Sequence, residues 1–243
     1  MKILLPIILA MLSPSPSVTT AVEAVAEKIE RIQEEFKTTP QGFLSCLTLS
    51  ARTGIPFDVC VRILQRESGG GKRGAMRLCR RWGRDASGDW SCPGGYYSVY
   101  HGGWNLPEST IRAQACEVSE WQLRHSPSWS WIRKHNRLND TDYDVTDMED
   151  FNKSLEVMET AYFALKHTAE EEGPRCIATK RVCTKEGLIE GAECLRMKKV
   201  CTRTCPIIPG AEDLVWLQYW NGCASYRAHV KAVLSYREKQ GHQ

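Results

Sequence analysis

All eleven cysteines of this 243-residue chain lie at or beyond Cys46, and four of them frame two matching cassettes. These are Cys176-Ile177-Ala178-Thr179-Lys180-Arg181-Val182-Cys183 and Cys194-Leu195-Arg196-Met197-Lys198-Lys199-Val200-Cys201, each with a cysteine at both ends and a basic pair inside. Cross-linked cysteines must come close together with a specific geometry, so this pattern restricts the folds open to the chain. Positions 176 and 201 have the same sum as 183 and 194, and residues whose numbers share a sum lie opposite each other in an antiparallel hairpin. A single hairpin with its turn near Leu188-Ile189 therefore brings both pairs together. The two pairs are an odd number of residues apart, so they fall on opposite faces unless a bulge intervenes. Between 174 and 205 eight Lys and Arg stand against three Glu. That basic segment, about 174–206, either holds an anionic polymer or membrane headgroups, or is a solvated insertion stapled because it has no core of its own.

The chain opens with Met1-Lys2 and a short apolar run from Ile3 to Leu12, followed by small residues at Ala21, Ala24 and Ala26, which is the pattern of a secretory signal over residues 1–24. Export to an oxidising compartment, outside the cell or in a periplasm, makes disulfides the expected use of the cysteines. The odd count leaves at least one thiol over. No CxxC pair is present and the histidines are scattered, so no metal and no cofactor are expected. No other segment has the roughly 20 consecutive apolar residues of a membrane span. A net charge of +3 is too small to argue for nucleic acid, and 42% apolar residues suffice for a full-sized core, here one monomeric domain over 25–243 with an insertion.

Helical spacing marks a surface helix from about Ala24 to Lys37, ended by Thr38-Thr39-Pro40-Gln41-Gly42, and a second from near Gly42 to the break at Gly54-Ile55-Pro56. The next helix is the most informative. In Phe57-Asp58-Val59-Cys60-Val61-Arg62-Ile63-Leu64-Gln65-Arg66-Glu67-Ser68-Gly69-Gly70, the residues Phe57, Cys60, Val61 and Leu64 form an apolar stripe, and Glu67 falls on it. Burial disfavours the charged form of an acid, so a glutamate there suits a general acid.

From Gly69 to Trp104 neither helical nor strand periodicity persists, and a long structured loop with a short strand pair around Tyr96 to Tyr100 is expected. Trp82, Trp90, Tyr96, Tyr97, Tyr100 and Trp104 are set there among Asp85, Asp89 and His101. Flat aromatic faces stack on apolar sugar faces while carboxylates and amides bind hydroxyls, so a sugar or ring-shaped ligand is the expectation. Helices are predicted from about Ile111 to His125 and from Phe151 to Glu172, the latter burying Leu155, Met158, Ala161 or Tyr162, and Leu165. Ser126 to Ile132 and the acidic run Asp140 to Asp150 read as connections. At the end, Leu214 to Cys223 and the stripe Tyr226, Val230, Val233 and Leu234 predict two helices joined at Asn221-Gly222, the second reaching about Lys239.

Taken together, the Ile-Leu-x-x-Glu-Ser-Gly helix end, the Gly-rich stretch after it and the aromatic-Asn-Gly motif opening a C-terminal helix resemble the soluble lytic transglycosylase and goose-type lysozyme superfamily. The resemblance covers Gly42 to Arg237 without the 174–206 insertion, and rests on two separated anchors. It implies a mainly α, lysozyme-like domain carrying a long Gly/aromatic loop and a Cys-rich β-hairpin insertion. It implies further that Glu67 protonates the glycosidic oxygen between N-acetylmuramic acid and N-acetylglucosamine, with Ser68 beside it. The family's Tyr-Asn-Ala/Gly motif maps to Trp220 and Asn221, or to Tyr219 with a register slip of one; Trp in place of Tyr leaves the ring's hydrogen bond to the glutamate to Tyr219. The family's Gly-Ala-x-Gly-Leu-x-Gln stretch is half matched by Gly74 to Arg80, and Gly94-Gly95-Tyr96-Tyr97-Ser98-Val99 is the better counterpart, with Ser98 in place of Gln. Tyr96, Tyr97, Ser98 and His101 are thus the candidate sugar contacts.

The same acid serves two reactions. A lytic transglycosylase needs one carboxyl group and gives a 1,6-anhydro product, whereas an inverting hydrolase needs a second carboxylate about 6.5 to 9.5 Å away to activate water. Asp85 and Asp89 are candidates for that base, and equally for turn-forming Asp beside Gly. The expected partner is peptidoglycan. The competing expectation is a non-catalytic glycan-binding protein that attaches through the basic hairpin.

Overall fold

The computed structural model describes residues 23, 26, 27, 30, 31, 34, 37–71, 75–86, 88–99, 103–183 and 197–241, with backbone alone at 103, 181–183, 197, 221 and 239–241. The signal over 1–24, Glu23 apart, and the hairpin turn near Leu188-Ile189 lie outside them. The described residues between 23 and 34 are helical. Overall the described chain is mainly α, and it divides into two compact units, 1–161 and 162–243.

In the first unit, α1 (Pro40–Thr53) begins where the Thr39 side chain accepts a hydrogen bond from the Gly42 N–H at 3.0 Å, with proline in its first turn, and it ends at Gly54 in the left-handed conformation. Three residues later α2 (Phe57–Ser68) starts. The two helices share a core of Phe43, Cys46 and Leu49 from α1 and Val59, Cys60, Ile63 and Leu64 from α2, with the Phe43 and Phe57 rings edge-on at 5.2 Å.

The stretch expected to be a long loop is built of short strands. β1 (Met76–Cys79) pairs antiparallel with β4 (Tyr96–Val99) on one side and β5 (Ala115–Val118) on the other, and β5 with β6 (Leu123–Arg124), giving the order β4-β1-β5-β6. A separate small hairpin, β2 (Gly83–Arg84) and β3 (Trp90–Ser91), is tied to the end of β1 by the Cys79–Cys92 disulfide. The strand expected around Tyr96 to Tyr100 is present as β4, paired with β1; the other strands, of two and four residues, are too short to display a period of two, which hid them in the sequence.

The helix expected over Ile111 to His125 is corrected: α3 (Glu108–Gln114) stops at Ala115, and the rest forms β5, a turn and β6. Pairing with β1 overrides local helical spacing there. The connection expected at Ser126 to Ile132 is also shorter, because Ser130 caps α4 (Trp131–Asn139) by accepting from the Arg133 N–H. α5 (Phe151–Glu172) has the predicted bounds, and Leu155, Met158, Ala161, Tyr162 and Leu165 are all buried.

In the second unit, β7 (Cys176–Cys183) and β8 (Met197–Thr204) form the expected antiparallel hairpin. Its register differs: Thr179 lies opposite Cys201 and Lys180 opposite Val200, three positions from the cysteine-matched register. The ladder is irregular between Cys176 and Thr179, where Cys176 lies opposite Thr204, and Cys176 and Cys201 nevertheless form a disulfide. Cys194 and the Cys183 side chain lie outside the described residues. α6 (Leu217–Gly241) is two helices merged across Gly222, whose φ of 82° and ψ of 172° break the helix at the predicted junction. The core of this unit includes Trp216, Leu217, Tyr226, Val230 and Val233, with Tyr162 edge-on to Trp216 at 5.1 Å.

Candidate functional site

Glu67 occupies the last turn of α2, at i+3 from Leu64, i+4 from Ile63 and i+7 from Cys60, all three of them buried. It is itself half-buried, because the helix ends one residue later and the chain turns away. Ser68 is fully buried, and its hydroxyl donates to the Leu64 carbonyl at 3.3 Å while accepting from the Gly71 N–H at 3.0 Å. Its hydrogen bonds brace the helix end that carries Glu67.

Gly69, Gly70 and Gly71 all have positive φ, and at two of them the backbone of a neighbouring segment leaves no room for a side chain. A Cβ on Gly70 would lie 2.1 Å from the Lys37 carbonyl oxygen, and one on Gly71 would lie 2.3 Å from the Gly42 Cα. The contact is hydrogen-bonded as well as close: Thr39 donates its N–H to the Gly70 carbonyl at 2.7 Å and its hydroxyl to the Gly71 carbonyl at 3.0 Å. The Gly70 N–H meets the Leu64 carbonyl at 3.1 Å. The end of α2 is thereby locked to the start of α1, a rigid setting of the sort a catalytic acid requires.

The four-stranded sheet presents one polar face. Ser98, Arg77, Glu117 and Arg124 are successive cross-strand partners from β4 through β6. Tyr96 shares that face, 57% exposed, with the Arg77 guanidinium 4.6 Å from its ring centre. Arg77 also makes a 2.7 Å ion pair with Glu117. Burial raises the Glu117 carboxyl above the usual carboxylate range, and the charges of Arg77 and Arg124 oppose that rise. The opposite face buries Met76, Leu78, Val118 and Leu123. Tyr97 points its hydroxyl to Gln114 at 3.0 Å.

Sequence reading singled out Tyr96, Tyr97 and Ser98 but missed Arg77, Glu117 and Arg124, whose alignment needs the strand register. It also missed Glu120, 1% exposed in the β5–β6 turn and accepting a hydrogen bond from Ser45. His101 lies outside the described residues.

Asp85 and Asp89 close the tip of the β2–β3 hairpin and are exposed. The Asp85 N–H donates to the Asp89 carbonyl at 2.9 Å, and an Asp85 carboxylate oxygen accepts the Asp89 N–H at 3.0 Å. This is the turn-forming use of Asp beside Gly. Arg84 stacks on Trp90 at 4.4 Å and donates to the Gly88 carbonyl, tightening the same turn.

Within the second unit, the Tyr219 hydroxyl donates to the Gly173 carbonyl at 2.8 Å. Burial raises its pKa, with further contributions from Glu172 and an opposing one from Arg175. Trp220 is half-buried at the kink, and the Asn221 side chain lies outside the described residues. Arg175 ties the approach to β7 onto α6 through Gln218, donating its N–H to the side-chain oxygen and its guanidinium to the carbonyl.

Among the described residues no three His, Cys, Asp or Glu side chains come together to hold a metal, and no helix is long and apolar enough to cross a membrane. No family model, no curated protein and no solved structure matches the chain.

Proposed function

We propose that the protein is a secreted peptidoglycan glycosidase of lysozyme-like fold that cleaves the bond between N-acetylmuramic acid and N-acetylglucosamine, with Glu67 as general acid. The observation that carries this reading is the setting of Glu67, a half-buried carboxyl on the buried arc of α2, held by a glycine turn that tolerates no side chain at two positions. The polar sheet face supports it, since an exposed tyrosine ring beside Ser98 and an Arg–Glu–Arg row offers stacking and hydroxyl-binding groups of the kind that bind sugars.

In the reaction, the Glu67 carboxyl proton passes to the glycosidic oxygen as the bond from that oxygen to the muramic C1 breaks. The Asp85 carboxylate already has a turn-forming role, which favours the outcome needing one carboxyl group. The resulting Glu67 carboxylate then takes the proton of the muramic 6-hydroxyl, whose oxygen bonds to C1 and closes the 1,6-anhydro ring. Glu67→Gln should reduce release of soluble muropeptides from purified sacculi by about 10²-fold or more while leaving thermal unfolding in place. Wild-type turnover by that variant would sink the proposal. Mass spectrometry of the products separates anhydro from reducing ends.

A second reading, a non-catalytic glycan binder, draws on the β7–β8 hairpin, where most described side chains are exposed, including Ile177 and Val200. It predicts that charge reversal at Lys180, Arg181, Lys198 and Lys199 weakens attachment to sacculi while Glu67→Gln does not.

A further inference from the structure

Two cysteines outside the described disulfides face each other between α1 and α2. Cys46 and Cys60 are both fully buried. The Phe43 and Phe57 rings already fix which faces of the two helices meet, and a step of three residues along each helix, from 43 to 46 and from 57 to 60, keeps to those faces. The two thiols are within hydrogen-bonding reach of each other.

We infer that Cys46 and Cys60 are a disulfide-forming pair, closed by exchange with a disulfide donor of the glutathione type into a covalent staple between α1 and α2. In the first step one cysteine thiolate attacks a sulfur of the donor, forming a mixed disulfide and releasing one donor thiol. In the second the other protein thiolate attacks the protein sulfur of that mixed disulfide, and the second donor thiol leaves. The protein loses two hydrogens and the donor is reduced to two thiols.

The surroundings set when this happens. Burial, followed by the Cys60 contact and the charges of Cys60 and Glu120, holds the Cys46 thiol well above its ordinary range. The Cys46 thiolate is therefore scarce once α1 and α2 have packed, and both sulfurs are then out of reach of a donor, so the bond closes during folding and is afterwards shielded from reductant. Cys116 differs. Burial, with the Glu117 charge behind it, pushes its thiol up to about 12, and its Sγ–H points to the Arg77 carbonyl at 3.0 Å. Among the described residues it is the thiol left over. Glu67 lies about two turns beyond Cys60 on the same helix face, so the staple also stiffens the element that carries the proposed acid.

The test refolds the reduced, denatured full chain in a buffer of oxidised and reduced glutathione until Cys79–Cys92 and Cys205–Cys223 have closed. Free thiols are then alkylated in denaturant without reductant, and the protein is digested with trypsin, which cuts at Arg52 between the two cysteines. A cross-linked peptide pair containing Cys46 and Cys60, two hydrogen masses lighter than the reduced pair, is expected together with alkylated Cys116. Reductant without denaturant should leave that cross-link intact. The Cys46→Ser/Cys60→Ser double variant should lose this one cross-link and keep the Cys116 label. Alkyl groups on both Cys46 and Cys60 in molecules whose other bonds have closed, or either cysteine joined to Cys116, would overturn the assignment.

Discussion

The turn beneath Glu67 and the β7–β8 hairpin are each short departures from a helix, and they are held in opposite ways. At Gly70 and Gly71 the backbone of one segment occupies the space where the other's side chains would be, and hydrogen bonds from Thr39 close the contact. In the hairpin the described side chains mostly face solvent, so the ladder and the Cys176–Cys201 bond replace packing. A buried turn tolerates no added atom, whereas an exposed ribbon tolerates many substitutions but depends on its covalent link.

The sharpest way to break the contrast is Gly71→Ala. Its φ of 90° strains any L side chain, and the added methyl meets the Gly42 Cα, so a loss of roughly 3 kcal/mol or more in denaturant unfolding is expected. Gly88→Ala is the control, since its φ is also positive but nothing lies near; about 1 kcal/mol is expected there. Equal losses at the two sites would show that conformational strain, and not the close approach, governs the Glu67 turn.

Next in size is Cys205–Cys223, which ties the residue after β8 to the residue following the Gly222 kink and closes a separation of 18 residues. Replacing both by Ser should lower the stability of the second unit by about 3 kcal/mol. The same change at Cys176 and Cys201 should leave the main transition within roughly 0.5 kcal/mol and instead hasten tryptic cleavage at Lys180 and Lys198, because the exposed hairpin contributes little to a core.

pH sharpens the comparison from another side. In the first unit, burial lowers His125 to about 4, with the Arg133 charge adding to the effect. The unfolded imidazole takes up a proton below its ordinary value of about 6.5 while the folded one stays neutral, so the unfolded state binds more protons between those limits. Stability is thus fully present above pH 6.5 and declines as pH falls to about 4, by roughly 2 kcal/mol after allowance for partial exposure. His125→Gln should flatten that slope in urea titrations across the range, and an unchanged slope would remove His125 as its source.

Several elements were legible in the residues because they carry two signals at once. α1, α2 and α5 combine helical spacing with glycine or proline at an end, and the Gly222 break has a glycine inside an otherwise helical pattern. Of the sheet only β4, around Tyr96, was legible, because its strands are short and two of its members follow from α3. The hairpin was foreseen but its register was not, since the ladder sets Cys176 opposite Thr204 and Thr179 opposite Cys201, and a disulfide does not require its two cysteines to be ladder partners. Ser68, next to Gly69, and Asp85, between Gly83 and Gly88, were identifiable as polar residues near glycine, yet whether such a side chain binds a ligand or its own backbone depends on dihedral angles that residue types do not specify.

Helix spacing, turn residues and cysteine number were set by local chemistry, and with them the place of Glu67 on an apolar stripe. Which distant segments meet was settled by long-range contacts: Gly42 against Gly71, Ser45 against Glu120, and Arg77 aligned with Glu117 and Ser98. Such contacts join residues distant in the chain, and their free energy comes from burial and hydrogen bonds that exist only once the segments have packed.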